Sequence, residues 1–198
     1  MSRNSLILEK AASEHTAPAL LEAVPCASEY LDLIRRLFQA HSVVAVIGSG
    51  PVSRAPEACR GIAAELAASG NRVVIVHVEA LLRTSQSPDA TACRPGHAPN
   101  VSLWPSTSGA TVEFFQSPAP APAAGGWLDS LRRKFDSVLL DCPSVDTAPA
   151  AGTIAAMADG AVLVVEAGHT TKQQIQSDQQ ALQLRGVRLA GCILMRRR

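Results

Sequence analysis

The chain has 198 residues, 47% of them apolar, which is enough for one well-buried core and, at this length, for one domain rather than two. Eighteen basic against seventeen acidic side chains leave a formal charge of +1, which excludes the broad positive field of a nucleic-acid binder. No run of eighteen apolar residues occurs, and the opening MSRNSLILEKAASEH puts Glu9 and Lys10 where a secretory leader needs apolar residues, so a cytoplasmic protein is expected.

Five cysteines, Cys26, Cys59, Cys93, Cys142 and Cys192, are widely spaced, odd in number and free of any CxxC pair. Neither a zinc site nor a disulfide framework follows from that pattern, and isolated thiols are expected.

Residues 1–27 are alanine-rich without a sustained period, and Pro18 and Pro25 interrupt any helix there, which predicts a loosely ordered arm. From Ser28, a possible N-cap, SEYLDLIRRLFQA puts Tyr30 or Leu31, Ile34, Leu37 and Phe38 on one helical face. SVVAVIG is a continuous branched apolar run ending at glycine, the pattern of a strand buried on both faces of a parallel sheet.

The loop GSGPVSRA leads to Pro56 and Glu57, which suit the first turn of a helix reaching about Ser69, where Gly70 and Asn71 stop it. RVVIVHV then reads as a second strand, completing a strand–helix–strand unit. Residues 84–108 are rich in Ser, Thr, Pro and Ala and predict a long connection with one short strand near 101–104. SPAPAPAAGG at 117–126 predicts an extended linker. WLDSLRRKF reads as a helix, FDSVLLDCP and GAVLVVEAG as buried strands, 171–185 as a polar helix with Ile175, Ala181 and Leu182 toward the sheet, and VRLAGCILM as a last strand. Strands alternating with helices give an α/β, three-layer domain with a mostly parallel central sheet over residues 28–198.

Three strings now carry a family resemblance. FDSVLLDCPSV has an aspartate, Asp141, after a hydrophobic run and before a small residue and proline. ADGAVLVVEAGHTTKQQI has Asp159 and Gly160 before a branched strand, then Thr171 and a helix. ELAASGNRVVIVHVEA has the spacing of a helix entering a strand. In this order they resemble the cytoplasmic bacterial tyrosine kinases of capsule and exopolysaccharide synthesis, which lie within the partition-type ATPases (MinD/ParA-type) with a deviant P-loop. The resemblance implies a P-loop NTPase-like fold, ATP and Mg2+ as ligands of active members, and an inner-membrane polysaccharide co-polymerase or a related kinase as partner.

The departures from that family bear on function. A working P-loop surrounds phosphates with backbone N–H groups, adds a lysine, and places a Ser or Thr hydroxyl on magnesium. Counting back from the helix, Cys59 stands at the lysine position and Arg60 and Gly61 at the hydroxyl positions. Ala55, Pro56 and Ala58 replace most of the Pro-Gly-Glu-Gly turn, leaving Glu57. Proline donates no N–H, and neither it nor alanine readily takes a left-handed turn. The vestigial loop is thus Gly48, Gly50, Arg54, Glu57, Cys59, Arg60 and Gly61. The family's Asp-x-Asp at the end of the second strand reads His77 and Glu79 here, and a neutral histidine suits magnesium poorly. The tyrosine-rich tail is absent, Tyr30 being the one tyrosine, and the oligomerisation pattern Glu-x-x-Arg-x-x-Arg reads Glu29, Asp32 and Arg35.

Several residues admit plainer readings. Asp141, the metal ligand if any residue is one, can equally cap a turn. The glycines of GSG begin a dinucleotide fingerprint whose third glycine is missing, since Ser53 stands there. Arg54 and Arg60 can hold an anion at the helix N-terminus or simply face solvent. His77 can serve as ligand or base, or satisfy a hydrogen bond at a strand end, and Cys59 can pack as a small apolar residue. Arg196, Arg197 and Arg198 form a basic end that can meet acidic lipid or water.

The reading is a pseudokinase or pseudo-ATPase in exopolysaccharide or capsule export, acting through protein contacts and holding no cofactor. The alternatives are a divergent active kinase that uses Arg54 or Arg60 with Glu79 and Asp141, and a partition or positioning regulator of the same superfamily.

Overall fold

The computed structural model describes residues 6–9, 27–40, 42–50, 54–83, 93–104 and 126–196. In chain order the elements are β1 (Leu6–Glu9), α1 (Ala27–Ala40), β2 (Val43–Gly48), α2 (Ala55–Ala68), β3 (Val73–His77) and α3 (Val78–Arg83). They continue with β4 (Arg94–Pro95), β5 (Val101–Trp104), α4 (Gly126–Lys134), β6 (Ser137–Cys142), α5 (Pro149–Ala155), β7 (Gly160–Glu166), α6 (Lys172–Leu184) and β8 (Leu189–Met195).

Among the described residues the strands form one sheet in the order β1-β8-β7-β2-β6-β3-β5-β4. The six from β8 to β5 run parallel, and β1 and β4 close the two edges antiparallel. Strands β2, β6 and β7 are buried along their whole length, which is why their sequences are unbroken apolar runs rather than alternating ones.

Alternate strand residues face two separate cores. Val44, Val46, Val73, Ile75, Leu139 and Val162 meet Ile34 and Leu37 of α1 and Cys59, Ile62 and Leu66 of α2. On the other face Val43, Ala45, Val74, Leu140 and Leu163 meet Leu81 of α3, Leu131 of α4, Ile154 of α5 and Leu182 of α6. Each fully buried aliphatic side chain contributes roughly 1.5–3 kcal/mol, so both layers are strongly held.

Helix ends follow their sequences. After α2, Gly70 at φ +89° lets its N–H reach Ala67 O at 2.9 Å and the Asn71 N–H reach Leu66 O at 3.1 Å, a Schellman closure that side-chained residues rarely allow. α6 closes the same way, with Gly186 and Val187 N–H on Gln183 O and Leu182 O.

The structure differs from the expectations in four places. Leu6–Glu9, read as loose arm, adds a strand to β8, because an edge strand offers unpaired backbone groups to any extended segment. β3 stops at His77, and VEALLR winds into α3, whose helix-forming residues bury Val78 and Leu81. PAAGTIA, for which the sequence reading assigns no element, forms α5 despite Gly152 and Thr153, since packing of Ala151, Ile154 and Ala155 overrides propensity. The two-residue β4 pairs with β5 inside the expected 84–108 connection. The 117–126 linker lies outside the described residues apart from Gly126, and so do Cys26, Arg197 and Arg198. The remaining four cysteines are not joined in disulfides.

Candidate functional site at the carboxyl ends of the central strands

β2 leaves the sheet through α2 on one face and heads for β3, whereas β6 leaves through α5 on the other face and heads for β7. Neighbouring strands departing in opposite directions open a crevice at their carboxyl ends, the usual ligand position in such sheets. The loop after β2, the end of β3 and the end of β6 converge there.

The register of β3 on β6 sets His77 opposite Asp141. Asp141 is buried, the His77 side chain is 37% exposed, and Nδ1–H donates to Asp141 Oδ2 at 2.8 Å. That bond holds one edge of the ring against Asp141. It also answers what His77 does at its strand end, for which the sequence named no partner.

Ser49 continues β2 alongside β7, its N–H donating to Val164 O at 2.9 Å. Its hydroxyl donates to Asp178 Oδ2 on α6, a carboxylate only 1% exposed. Gln174, one turn earlier, donates from Nε2 to Asp178 Oδ1 at 3.2 Å and to Asp146 Oδ2 at 2.5 Å. Burial raises the Asp178 carboxyl above its ordinary range and the nearby charge of Asp146 adds to this, outweighing the bonds from Ser49 and Gln174.

This polar chain went unread in the sequence. Its one trace was an acid at position 178 between Ile175 and Leu182, three and four residues from the apolar face of α6. Ser144, buried after β6, accepts the Asp146 N–H on its Oγ at 3.2 Å and so fixes the turn that presents Asp146.

The other sequence candidates disperse. Glu79 sits in the first turn of α3, exposed and paired with Arg83. Arg54 stands before α2 with its guanidinium on Glu57 and its Nη1 on Arg196 O at 3.1 Å. Arg60 is exposed, and its carbonyl accepts from His97 Nε2–H at 3.1 Å. Gly48 and Gly50 are buried beside β2, Gly61 is partly buried on α2, and Ser53 lies outside the described residues.

Cys59 is 0% exposed and belongs to the core between α2 and the sheet. Burial pushes its thiol well above the ordinary range, and the charge of Asp141 pushes the same way; Cys142 is raised by the same two causes. Among the described residues no three of His, Cys, Asp and Glu come together as a metal site, and no helix is long and apolar enough to cross a membrane.

No protein-family model and no curated protein matches the sequence. Solved structures are similar in fold. The BceF tyrosine kinase domain superposes with a TM-score of 0.64 at 22% identity, covering 84% of this chain and 76% of that one. The VpsO kinase domain gives 0.62 at 16%, covering 86% and 92%. The kinase domain of the Escherichia coli tyrosine kinase ETK gives 0.56 at 15%, covering 83% and 74%.

Proposed function

We propose that this chain, which carries the fold of the bacterial tyrosine-kinase domains, is a non-catalytic component of exopolysaccharide or capsule biosynthesis and export that works through protein contacts. The polysaccharide setting rests on the resemblance of the strings around Asp141 and Asp159. The partner would be an inner-membrane co-polymerase or a related kinase, which would hold the protein at the cytoplasmic face of that membrane.

The observation that carries the loss of catalysis is Cys59. The residue at the lysine position points into the core with no exposed surface instead of reaching for a phosphate. Two further features agree. α2 is already helical from Ala55, with the Glu57 and Ala58 N–H groups both turned back to Arg54 O at 3.1 Å, so these donors are directed along the helix rather than around an anion. Arg54, the cation that precedes α2, is paired with Glu57, while Asp141 and Asp146 stand at the carboxyl ends of the central strands, where a triphosphate would have to sit. The described residues therefore do not fit an ATP cradle.

The second reading, a divergent protein-tyrosine kinase, draws on Asp141, which does lie in the crevice. It loses Glu79 to Arg83. The partition-regulator reading has no observation of its own in this structure.

Titration with a fluorescent ATP analogue and Mg2+ separates them. No saturable binding is expected up to about 1 mM, the weak end of specific affinity. Micromolar binding that disappears in Asp141→Ala would overturn the proposal. Co-purification from the native host tests the setting: polysaccharide export proteins are expected, and division or partition proteins in their place would contradict it.

A further inference from the structure

At the end of the sheet away from the crevice lies an open cleft of about 430 Å³, whose lining includes Arg72, Asn100, Val101, Ser102, Lys134 and Phe135. It sits at the amino ends of the adjacent strands β6, β3 and β5, since Asp136, Arg72 and Asn100 are the residues that lead into them. Backbone bonds fix its rim: the Val73 N–H donates to Asn100 O at 2.9 Å, the Asp136 N–H to Arg72 O at 2.8 Å and the Gly96 N–H to Val101 O at 2.7 Å. Gly96 lies so close to Val101 that an added Cβ would meet Val101 Cγ1 at 2.8 Å. The cleft is therefore formed before any ligand arrives, and its volume falls in the lower part of the small-molecule range, about 300–1,000 Å³.

Its lining joins apolar surface to positive charge. Val101 and Phe135 are buried, and the Lys134 ammonium stands 5.8 Å from the centre of the Phe135 ring. Asp136 accepts from Arg72 Nε at 3.1 Å and from Nη2 at 2.8 Å, which holds the guanidinium in one plane while the side chain stays 58% exposed. Asp136 remains an anion, its carboxyl lowered to about 2 chiefly by the Arg72 side chain. Two cations, Arg72 and Lys134, against this one anion leave a single net positive charge. We propose that the cleft binds a small organic monoanion, a carboxylate on an apolar ring or branched chain, with its head at Arg72 and Lys134 and its body against Val101 and Phe135. A bare inorganic anion would leave the apolar side uncovered, and a neutral body would leave the charge unmatched. A doubly charged phosphate monoester would exceed the one net charge.

The test follows amide shifts of the 15N-labelled full chain without nucleotide, so its outcome does not depend on whether ATP binds. Benzoate is expected to move Val101, Ser102 and Phe135 saturably with a Kd of about 1–10 mM, as its size allows, and to leave Val78 and Asp141 in place. Acetate, which lacks the body, and benzyl alcohol, which lacks the charge, should each bind about fivefold more weakly or worse. Arg72→Gln and Lys134→Gln, both at exposed positions, should each weaken benzoate by about fivefold while staying folded. Cys93 also lines the cleft and gives a readout in the wild type: benzoate should slow its labelling by a thiol reagent and leave Cys192 unaffected. No saturable shift up to about 50 mM benzoate would overturn the proposal. So would benzyl alcohol binding as well as benzoate, acetate binding equally as an adventitious ion only, phenyl phosphate binding more tightly, or unchanged affinity in both folded variants.

Discussion

The hydroxyl of Ser49, at the end of β2, donates to the carboxylate of Asp178 on α6, 129 residues further along the chain. One bond thus ties the loop leading into α2 to a helix on the opposite face of the sheet.

Asp178 makes stability depend on pH. Burial first, then the charge of Asp146, holds the Asp178 carboxyl above its ordinary value, so the folded chain binds this proton more tightly than the unfolded one. The contribution to stability is greatest below the unfolded value, about 3.9, and declines as pH rises through the folded value. Urea midpoints of Asp178→Asn should lose this decline. Ser49→Ala, which removes a bond favouring the charged form, should steepen it. Identical pH slopes in wild type and Asp178→Asn would contradict the account.

Asp159 acts in the opposite sense. Its burial alone would raise the carboxyl, but bonds from Val43 N–H at 2.9 Å and Ser42 Oγ at 3.0 Å, with Arg132 beside it, outweigh burial and hold it low. Its contribution is present above the unfolded value and lost as pH falls through the folded one. Asp159→Ala leaves the buried start of β2 without its partner and is expected to cost about 2 kcal/mol at pH 7 by urea unfolding. A loss below about 0.5 kcal/mol would show that water replaces the carboxylate.

Restoring the family lysine should not restore a cradle. Cys59→Lys places an ammonium where no surface is exposed, and a destabilisation of about 3 kcal/mol or more is expected, with no gain in ATP-analogue binding. In the wild type, Cys59 and Cys142, both buried with raised thiols, should resist a thiol reagent until the protein unfolds. Rapid native labelling of Cys59, mapped by mass spectrometry, would place its side chain outside the core.

The start of α6 rests on Thr171, whose Oγ1 accepts the Gln174 N–H at 3.1 Å. Thr171→Ala is expected to lower stability by about 1 kcal/mol, read from the thermal midpoint, and Thr171→Ser to restore most of it. No recovery with serine would point to a role other than capping.

The central strands, helices α1, α2, α4 and α6, and their endings were set by local pattern. Continuous branched runs can be satisfied only in a sheet buried on both faces, and Gly70 and Gly186 can close helices that bulkier residues cannot. The weak helices α3 and α5 and the edge strands β1 and β4 were decided by packing and by unpaired sheet edges, which no local window contains. The candidate site divides along the same line. Cys59 on the inner face of α2 follows from helical spacing beside Ile62 and Leu66. His77 meeting Asp141, 64 residues apart, and Ser49 meeting Asp178, 129 apart, depend on strand register and on which helix covers which face. Periodicity says which side of its own element a residue occupies, whereas only the assembled sheet determines which other element it meets.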